Sequence, residues 1–237
     1  TIGTGTRLLS HVTVDGWTEN GERNEVHPFV SIGGPPQHLG YKGEPTKVIV
    51  GHDNILREYV TVNRATVQGG GVTSLGSKNF LMAYVHVAHD CRLGNHLIMA
   101  NAASLAGHIT IGDHAIIGGL SGIHQFVRIG AYAMVGGCCA LGQDLPPFMR
   151  AAGGYRARMY GLNSVGLRRH GFSTDRISVL KRAYDMLFRS GHRTGEAARL
   201  AKAEFGDQPD VMTVVGFLEG TKRGICRSVG KDQEDEE

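Results

Sequence analysis

Several features that define whole classes of protein are absent or rare in this sequence. It contains no run of about 18 apolar residues, so we expect no membrane span. Only 7 prolines accompany 35 glycines and no Gly-X-Y period is present, which excludes collagen and Pro/Gly-rich disorder. No basic segment followed by an apolar one opens the chain, so we also expect no signal peptide and a cytoplasmic protein.

Cysteine is also scarce. The four cysteines do not have the CxxC spacing of zinc sites, and Cys138 and Cys139 are adjacent. This pattern favours reduced thiols over a disulfide framework, in agreement with a cytoplasmic location.

Charge is unevenly distributed. Residues 150–231 contain 16 Lys and Arg against 7 Asp and Glu, a net charge of +9, whereas residues 1–149 carry a net charge of −1. A basic C-terminal half favours an anionic partner or substrate. The last residues, 229–237, are rich in acids, and we expect them to form a disordered tail.

The most abundant pattern is a six-residue repeat. Every sixth residue from Leu75 to Leu141 is aliphatic, twelve positions in succession, and glycine often follows the aliphatic residue. This period matches neither a helix nor an alternating strand. It predicts short strands joined by tight turns, three to a triangular coil, so that residues 18 apart stack in a β-solenoid. We expect the glycines at turns that need a positive φ or tight stacking.

The repeat also predicts the domain organisation. The solenoid should cover residues 1–150, and because its register is already running at Ile2, we expect some N-terminal coils to be missing from this chain. Residues 33–47 and 63–74 break the register and should form loops ejected from the solenoid.

The hexads stop after two consecutive prolines, and residues 151–228 should form a helical C-terminal domain. Ser173 is expected to cap one helix, which should end near Gly191, and Thr194 is expected to cap a second. A third helix is expected over residues 211–218.

Histidines cluster within the cleanest hexads. Stacking by 18 residues places His89, Gly107 and Gln125 in one column, about 4.8 Å apart from coil to coil. A histidine beside a glycine N–H can act as a general base next to an oxyanion donor, and Asp90 can orient the imidazole. A metal site stays open as an alternative at this point, because His86 and His89 are close in sequence.

Several segments resemble bacterial UDP-N-acetylglucosamine acyltransferases, which belong to the hexapeptide-repeat family. The resemblance spans nearly the whole chain except the acidic tail. It rests on these segments: GEPTKV (43–48), TVQGGG (66–71), AYVHVAHDCRLGN (83–95), LAGHITIGDHAIIGG (105–119), HQFVRIGAYAMVGGC (124–138), QDLPPF (143–148) and GLNSVGLRRHGFS (161–173).

This resemblance implies a mainly β fold, a left-handed parallel β-helix with a C-terminal helical domain, and a homotrimer with active sites between subunits. It implies transfer of an R-3-hydroxyacyl chain from acyl carrier protein to the 3-hydroxyl of UDP-N-acetylglucosamine, the first step of lipid A biosynthesis. The acyl donor would be the phosphopantetheine thioester of the carrier. No cofactor, metal or nucleic acid would take part.

The resemblance also implies residue roles. His89 would be the general base, Asp90 its acidic partner, and Gly107 the oxyanion-stabilising N–H. Gly137 would set the acyl length and, as a glycine, leave room for a chain of the hydroxymyristoyl class. Substrate-binding roles would fall to Gln37, His86, His108, His124, Gln125, Asn163 and Arg169.

Some positions depart from the family pattern on the nucleotide-sugar side. His38 and Gly40 stand where an Asp and a Lys are common, and Val165 and His170 replace an acidic and a basic residue. A 3-amino sugar acceptor is therefore an alternative. A zinc-dependent solenoid carbonic anhydrase is a second alternative, although no two histidines here have its His-x4-His spacing.

Overall fold

The structure is a computed structural model that describes residues 1–229. Short strands form a parallel β-helix, and a β-hairpin and helices follow it at the C-terminal end. Most of the acidic tail expected over 229–237 lies outside the described residues. Within residues 1–229, no helix combines the length and apolarity needed to cross a membrane.

The β-helix has three sheets, one along each side. The first sheet consists of β1 (Arg7–Leu8), β4 (Glu25–Val26), β7 (Ile55–Leu56), β10 (Phe80–Leu81), β13 (Ile98–Met99), β16 (Ile116–Ile117), β19 (Met134–Val135), β21 (Met149–Ala152) and β22 (Arg158–Leu162). The second consists of β2 (Thr13–Val14), β5 (Ser31–Gly34), β8 (Thr61–Asn63), β11 (His86–Val87), β14 (Ser104–Leu105), β17 (Gly122–Ile123) and β20 (Ala140–Leu141). The third consists of β3 (Trp17–Asn20), β6 (Lys47–Val50), β9 (Val72–Leu75), β12 (Arg92–Leu93), β15 (Thr110–Ile111) and β18 (Arg128–Ile129).

Strand pairing confirms the coil predicted from the repeat. Ile98 pairs in parallel with Ile116, 18 residues later, and the same step recurs over residues 72–141. The aliphatic residue of each hexad faces the centre of the triangle, where Met99 and Ile117 are fully buried. Each coil therefore buries its apolar side chains against its neighbours.

The corners between strands show what the glycines do. The second residue of most corners has a φ near +60°, and it is usually not glycine: φ is 63° at both Asp90 and His108. Many of the glycines instead lie against the next coil, where a Cβ on Gly118 would be 2.4 Å from the backbone N of Gly137. Close stacking of coils, more than positive φ, accounts for these glycines.

Two irregular segments leave the β-helix. Residues 35–46 connect β5 to β6, and residues 64–71 connect β8 to β9. The expected loops, 33–47 and 63–74, are therefore shorter than predicted, because residues at both ends of each range belong to strands. Both segments begin where the second sheet ends, so they emerge at one corner of the triangle.

After the last coil, β21 and β22 form an antiparallel hairpin on the first sheet. The β structure thus continues to Leu162, beyond the boundary expected at residue 150. The hairpin went unpredicted because it lies outside the hexad pattern.

Four helices follow the hairpin within the described residues: α1 (Ser164–Arg169), α2 (Thr174–Arg189), α3 (Thr194–Phe205) and α4 (Pro209–Glu219). Ser173 caps α2 as predicted, because its Oγ accepts from the N–H of Arg176 at 3.2 Å. The prediction for α3 was wrong by one residue, since Arg193 is the N-cap. The short helix α1 was not predicted.

Candidate active site

A buried histidine and aspartate occupy the corner that follows β11. His89 Nδ1 lies 2.7 Å from Asp90 Oδ2, and both residues are buried. Because a carboxylate accepts hydrogen bonds, Nδ1 carries the proton and Nε2 keeps a free lone pair in the neutral ring. The pair therefore has the arrangement of an oriented general base.

Asp90 is held in place by residues that the sequence analysis did not single out. Its Oδ1 accepts from the Thr66 N–H at 2.9 Å, and its Oδ2 accepts from Thr66 Oγ1 at 2.8 Å. Its own N–H donates to Thr73 Oγ1 at 2.8 Å. A Cβ on Gly69 would lie 2.0 Å from the carboxylate, so only glycine fits there. The segment 64–71 thus fixes the carboxylate. Its sequence signals were the break in the six-residue register and the TVQGGG stretch of the family resemblance, neither of which assigned a role to Thr66.

Gly107 lies one coil further along, against the ring of His89. A Cβ at this position would be 2.5 Å from His89 Cε1, so the imidazole occupies the space that a side chain would need. Within residues 1–229 no acceptor is found for the Gly107 N–H. The Gly107 N–H is therefore available to an oxyanion formed beside the base.

Further histidines surround this pair. His108 Nε2 lies 3.6 Å from Asp90 Oδ2, yet burial lowers the pKa of His108. Burial, and to a smaller extent His89, also lowers the pKa of His86, whose Nδ1 lies 2.7 Å from Thr61 Oγ1. Because their pKa values are lowered, these two rings are neutral near pH 7.

A cleft of about 740 Å³ opens from His89 along the outer face of the second sheet. Its floor consists of small outward-facing residues, among them Ala106, Gly122 and Ala140. Four residues that the sequence analysis expected to bind substrate line this cleft: Gln37, His86, His124 and Gln125. The cleft thus brings these four together with His89 and Gly107.

Other predicted site residues lie elsewhere. Asn163 is buried, where its side chain caps α1 and donates to the Tyr132 carbonyl at 3.0 Å. Arg169 is exposed at the end of α1, and Gly137 lies at a corner between the first and second sheets, outside the cleft lining. His108 lies beside Asp90 and does not line the cleft.

His38, one of the positions that depart from the family pattern, lies close to the base. Its ring centroid is 5.4 Å from that of His89, in an edge-on arrangement. Gly40 lies two residues further, and its N–H donates to His38 Nδ1 at 3.2 Å.

The ligand atoms of His89, Asp90 and His108 all lie within 4.8 Å of one another, as in many metal clusters. However, two ligands of a tetrahedral zinc ion would be more than about 3 Å apart, given metal–ligand bonds of 2.0–2.2 Å. The 2.7 Å separation of His89 Nδ1 and Asp90 Oδ2 is that of a hydrogen bond. These residues are therefore arranged as an acid–base pair.

Comparisons with known proteins agree on one family. The model of "Udp N-acetylglucosamine O-acyltransferase; Domain 2" matches residues 144–226. A protein of Thermodesulfovibrio yellowstonii named acyl-[acyl-carrier-protein]--UDP-N-acetylglucosamine O-acyltransferase is 56% identical over 95% of this chain and 87% of its own length. A protein of Halorhodospira halophila with the same name is 47% identical over 90% of this chain and 82% of its own length.

Solved structures give the same result. The UDP-N-acetylglucosamine acyltransferase of Francisella novicida superposes with a TM-score of 0.94 at 34% identity, covering 99% of this chain and 86% of that one. The UDP-N-acetylglucosamine O-acyltransferase of Moraxella catarrhalis has a TM-score of 0.93 at 42% identity, covering 95% and 88%.

Proposed function

The chain belongs to the UDP-N-acetylglucosamine O-acyltransferase family, and on that premise we propose that it moves an R-3-hydroxyacyl chain from acyl carrier protein to the 3-hydroxyl of UDP-N-acetylglucosamine. This reaction is the first step of lipid A biosynthesis. The fold is the left-handed parallel β-helix of that family. The observation that carries the proposal is the His89–Asp90 pair beside the free N–H of Gly107.

His89 acts as the general base. Nε2 takes the proton of the sugar hydroxyl as its oxygen attacks the thioester carbonyl carbon. Asp90 keeps the proton on Nδ1 and stabilises the imidazolium that forms. Thr66 holds the carboxylate in turn, so the base is oriented before substrate binds.

Gly107 stabilises the negative charge that develops on the carbonyl oxygen. Its N–H is fixed by the corner of the coil, so it needs no reorganisation to donate to the oxyanion. The tetrahedral intermediate then collapses, the C–S bond breaks, and the imidazolium returns its proton to the departing thiolate. The products are the sugar ester and the free thiol of the carrier.

The proposed reaction requires no metal or other cofactor. The acyl group arrives already activated as a thioester, and the base and the oxyanion donor both come from the chain. The acyl donor is the thioester on the phosphopantetheine arm of the carrier.

Substrate positions follow from the cleft. Gln37, His86, His124 and Gln125 line it and are proposed to bind substrate, together with His108 beside Asp90. Gly137 lies outside this cleft, so its proposed role in limiting acyl length requires the groove to continue past the corner of the second sheet.

A homotrimer would supply such a continuation. The corner line that includes Gly137 carries, three or more coils before it, an exposed apolar ridge in which the rings of Phe29, Tyr59 and Tyr84 stack with centroids 4.8–5.0 Å apart. Exposed apolar patches of this kind mark protein interfaces. We therefore propose that subunits meet along this edge and that each active site lies between two of them.

The proposed nucleotide contacts involve two residues near α1. Asn163 is already engaged in capping α1, and Arg169 lies at the exposed end of the same helix. Their proposed nucleotide contacts rest on the family resemblance.

The named relatives favour an oxygen acceptor over the 3-amino alternative, and an acyltransferase over a zinc hydratase. The cytoplasmic location stays a prediction.

Replacing His89 with alanine tests the proposed function. We expect kcat to fall by about 10²- to 10⁴-fold, the usual contribution of a positioned base, with the assembly state unchanged in size-exclusion chromatography. His192→Ala is the matched control, because this histidine is exposed ahead of α3. Near-normal turnover by the His89 variant would refute the assignment.

A further inference from the structure

A second pocket adjoins the far end of the cleft. It has a volume of about 330 Å³ and is lined by Gly142, Gln143, Arg156, Ala157, Arg158 and Arg227. We call it the arginine pocket. Half of its lining residues are arginines, and within residues 1–229 none of these three forms an ion pair.

Backbone pairing brings two of the arginines together. The Met159 N–H donates to the Arg227 carbonyl at 2.9 Å, and the Val229 N–H donates to the Met159 carbonyl at 3.0 Å. This parallel bridge makes Arg158 and Arg227 neighbours on adjacent segments. Like charges in such positions repel each other, so the pair is unfavourable unless an anion binds between them.

The arginine pocket is continuous with the active-site cleft. Gly142 and Arg156 line both cavities. From His89 to Gly142 the cleft spans three coils, about 14 Å at the usual strand spacing. Its floor over that distance is Ala106, Gly122 and Ala140, which leave space for a narrow, uncharged chain.

These observations fit a ligand with a reactive group at one end and a phosphate at the other. We propose that the arginine pocket binds the phosphate of the pantetheine arm that carries the acyl thioester. Guanidinium groups bind phosphate oxygens in bidentate fashion, and three arginines line the arginine pocket. The inference rests on the proposed function, because it assumes a carrier-bound thioester as donor.

The diphosphate of the UDP-sugar offers the same chemistry from another source. The two sources predict different kinetic effects when the arginines of the pocket are replaced. A subsite for the pantetheine phosphate changes use of the acyl donor alone, whereas a subsite for the nucleotide changes the KM for the UDP-sugar.

The test compares two small donors that differ only in the phosphate: a 3-hydroxyacyl-4′-phosphopantetheine and the same acyl pantetheine without phosphate. With the full chain, we expect kcat/KM to be about tenfold to a hundredfold higher for the phosphorylated donor, the usual effect of charge-assisted hydrogen bonds. Arg158→Ala and Arg227→Ala should each reduce this ratio severalfold, and together bring it close to one. The KM for the UDP-sugar should stay unchanged.

Arg199→Ala is the matched control, because it removes the same charge from an exposed position on α3. Because Arg158 and Arg227 are exposed and form no ion pair within residues 1–229, we expect both variants to fold, which circular dichroism checks. A ratio that survives in the double variant would overturn the inference, as would a rise in the KM for the UDP-sugar alone.

One outcome would assign the pocket to the chain itself. Five acidic residues lie in the sequence shortly after Arg227, within 232–237. A ratio near one in the full chain that rises once residues 231–237 are removed would show that these acids occupy the pocket, and would overturn the inference. Absence of turnover with either donor and with the acylated carrier would instead refute the proposed function.

Discussion

Asp90 makes more polar contacts than any other side chain in the candidate site. It accepts from His89, from the Thr66 backbone and from the Thr66 hydroxyl, and it is almost fully buried. A buried carboxylate is stable only when such partners satisfy it. The orientation of His89, the proposed base, therefore depends on a loop residue that lies 23 positions before it in the chain.

Replacing Thr66 with valine tests this dependence. Valine keeps the shape and the backbone N–H but removes the hydroxyl that donates to Asp90 Oδ2, so the carboxylate loses one of its hydrogen bonds. We expect kcat to fall about tenfold, the effect of one ordinary hydrogen bond, with little change in the KM for either substrate. Steady-state kinetics measures both parameters.

Thr110→Val is the control, because Thr110 is exposed on β15 in the same solenoid. If Thr66→Val changed the KM values and left kcat intact, Thr66 would be assigned to substrate binding instead of to positioning of the base.

Glycine has two distinct uses at the scale of single residues. Gly69 and Gly107 leave space for functional side chains, the Asp90 carboxylate and the His89 ring. Gly118 leaves space for the next coil. The sequence shows that all three are glycines. Only the three-dimensional contacts show which of them lies against a side chain of the candidate site and which lies against the next coil.

Among the structural elements, one corner of the β-helix bears a ladder of rings. His96, His114 and Tyr132 stack with centroids 4.7 Å apart, and His170, just after α1, lies edge-on to His114 at 4.8 Å. His114 Nδ1 is buried without a hydrogen-bond partner among the described residues. Burial lowers the pKa of His114, and His170 and His96 lower it further, against a small opposing effect of Asp113.

This ladder predicts that stability falls in acid. Histidines in the unfolded chain have a pKa near 6.5, whereas His114 has a lower value in the folded protein. As the pH falls through about 6.5, the unfolded state takes up the proton first, so the free energy of unfolding decreases. The lowered pKa values of His86 and His108 act in the same direction. We expect the Tm to decrease from pH 7.5 to pH 5.5, as differential scanning fluorimetry measures.

His114→Phe separates the contribution of the ladder. Phenylalanine retains the stack on Tyr132 and removes the group that titrates, so the decrease in Tm between the two pH values should be smaller than in the wild type. His192→Phe, in an exposed loop, should leave the decrease unchanged. An equal decrease in all three proteins would show that His114 does not contribute to the pH dependence.

At the scale of the whole molecule, charge is divided between two parts. Residues 150–231 carry a net charge of +9, and they include the helices and the hairpin that closes the β-helix. The arginine pocket and the end of the cleft lie on this basic side. A negatively charged carrier protein would be attracted to the side from which its arm can enter the cleft.

This charge distribution predicts a salt-dependent reaction. Raising the NaCl concentration from 50 to 300 mM should increase the KM for the acylated carrier about threefold to tenfold, because exposed charges are screened. The uncharged acyl pantetheine donor is the control, and its KM should not change. A KM for the carrier that is independent of salt would exclude electrostatic docking on the basic half.

The six-residue repeat is enough to predict the coils of the fold and to bring His89 and Gly107 together in the candidate site. A period of six is local and repeats many times, so it specifies the strands, the inward aliphatic residues and the 18-residue stacking. That stacking also predicted Gly107 beside His89, because the two positions are exactly one coil apart in the repeat.

The contacts made by segments outside the repeat depend on tertiary packing and could not be predicted from the sequence. The path of residues 64–71 brings Thr66 to Asp90, the hairpin and the segment near Arg227 form the arginine pocket, and Asn163 proves to be a helix cap. A loop has no period from which its path can be calculated. Its position depends on hydrogen bonds and packing with residues distant in the chain, and these exist only once the coils have stacked.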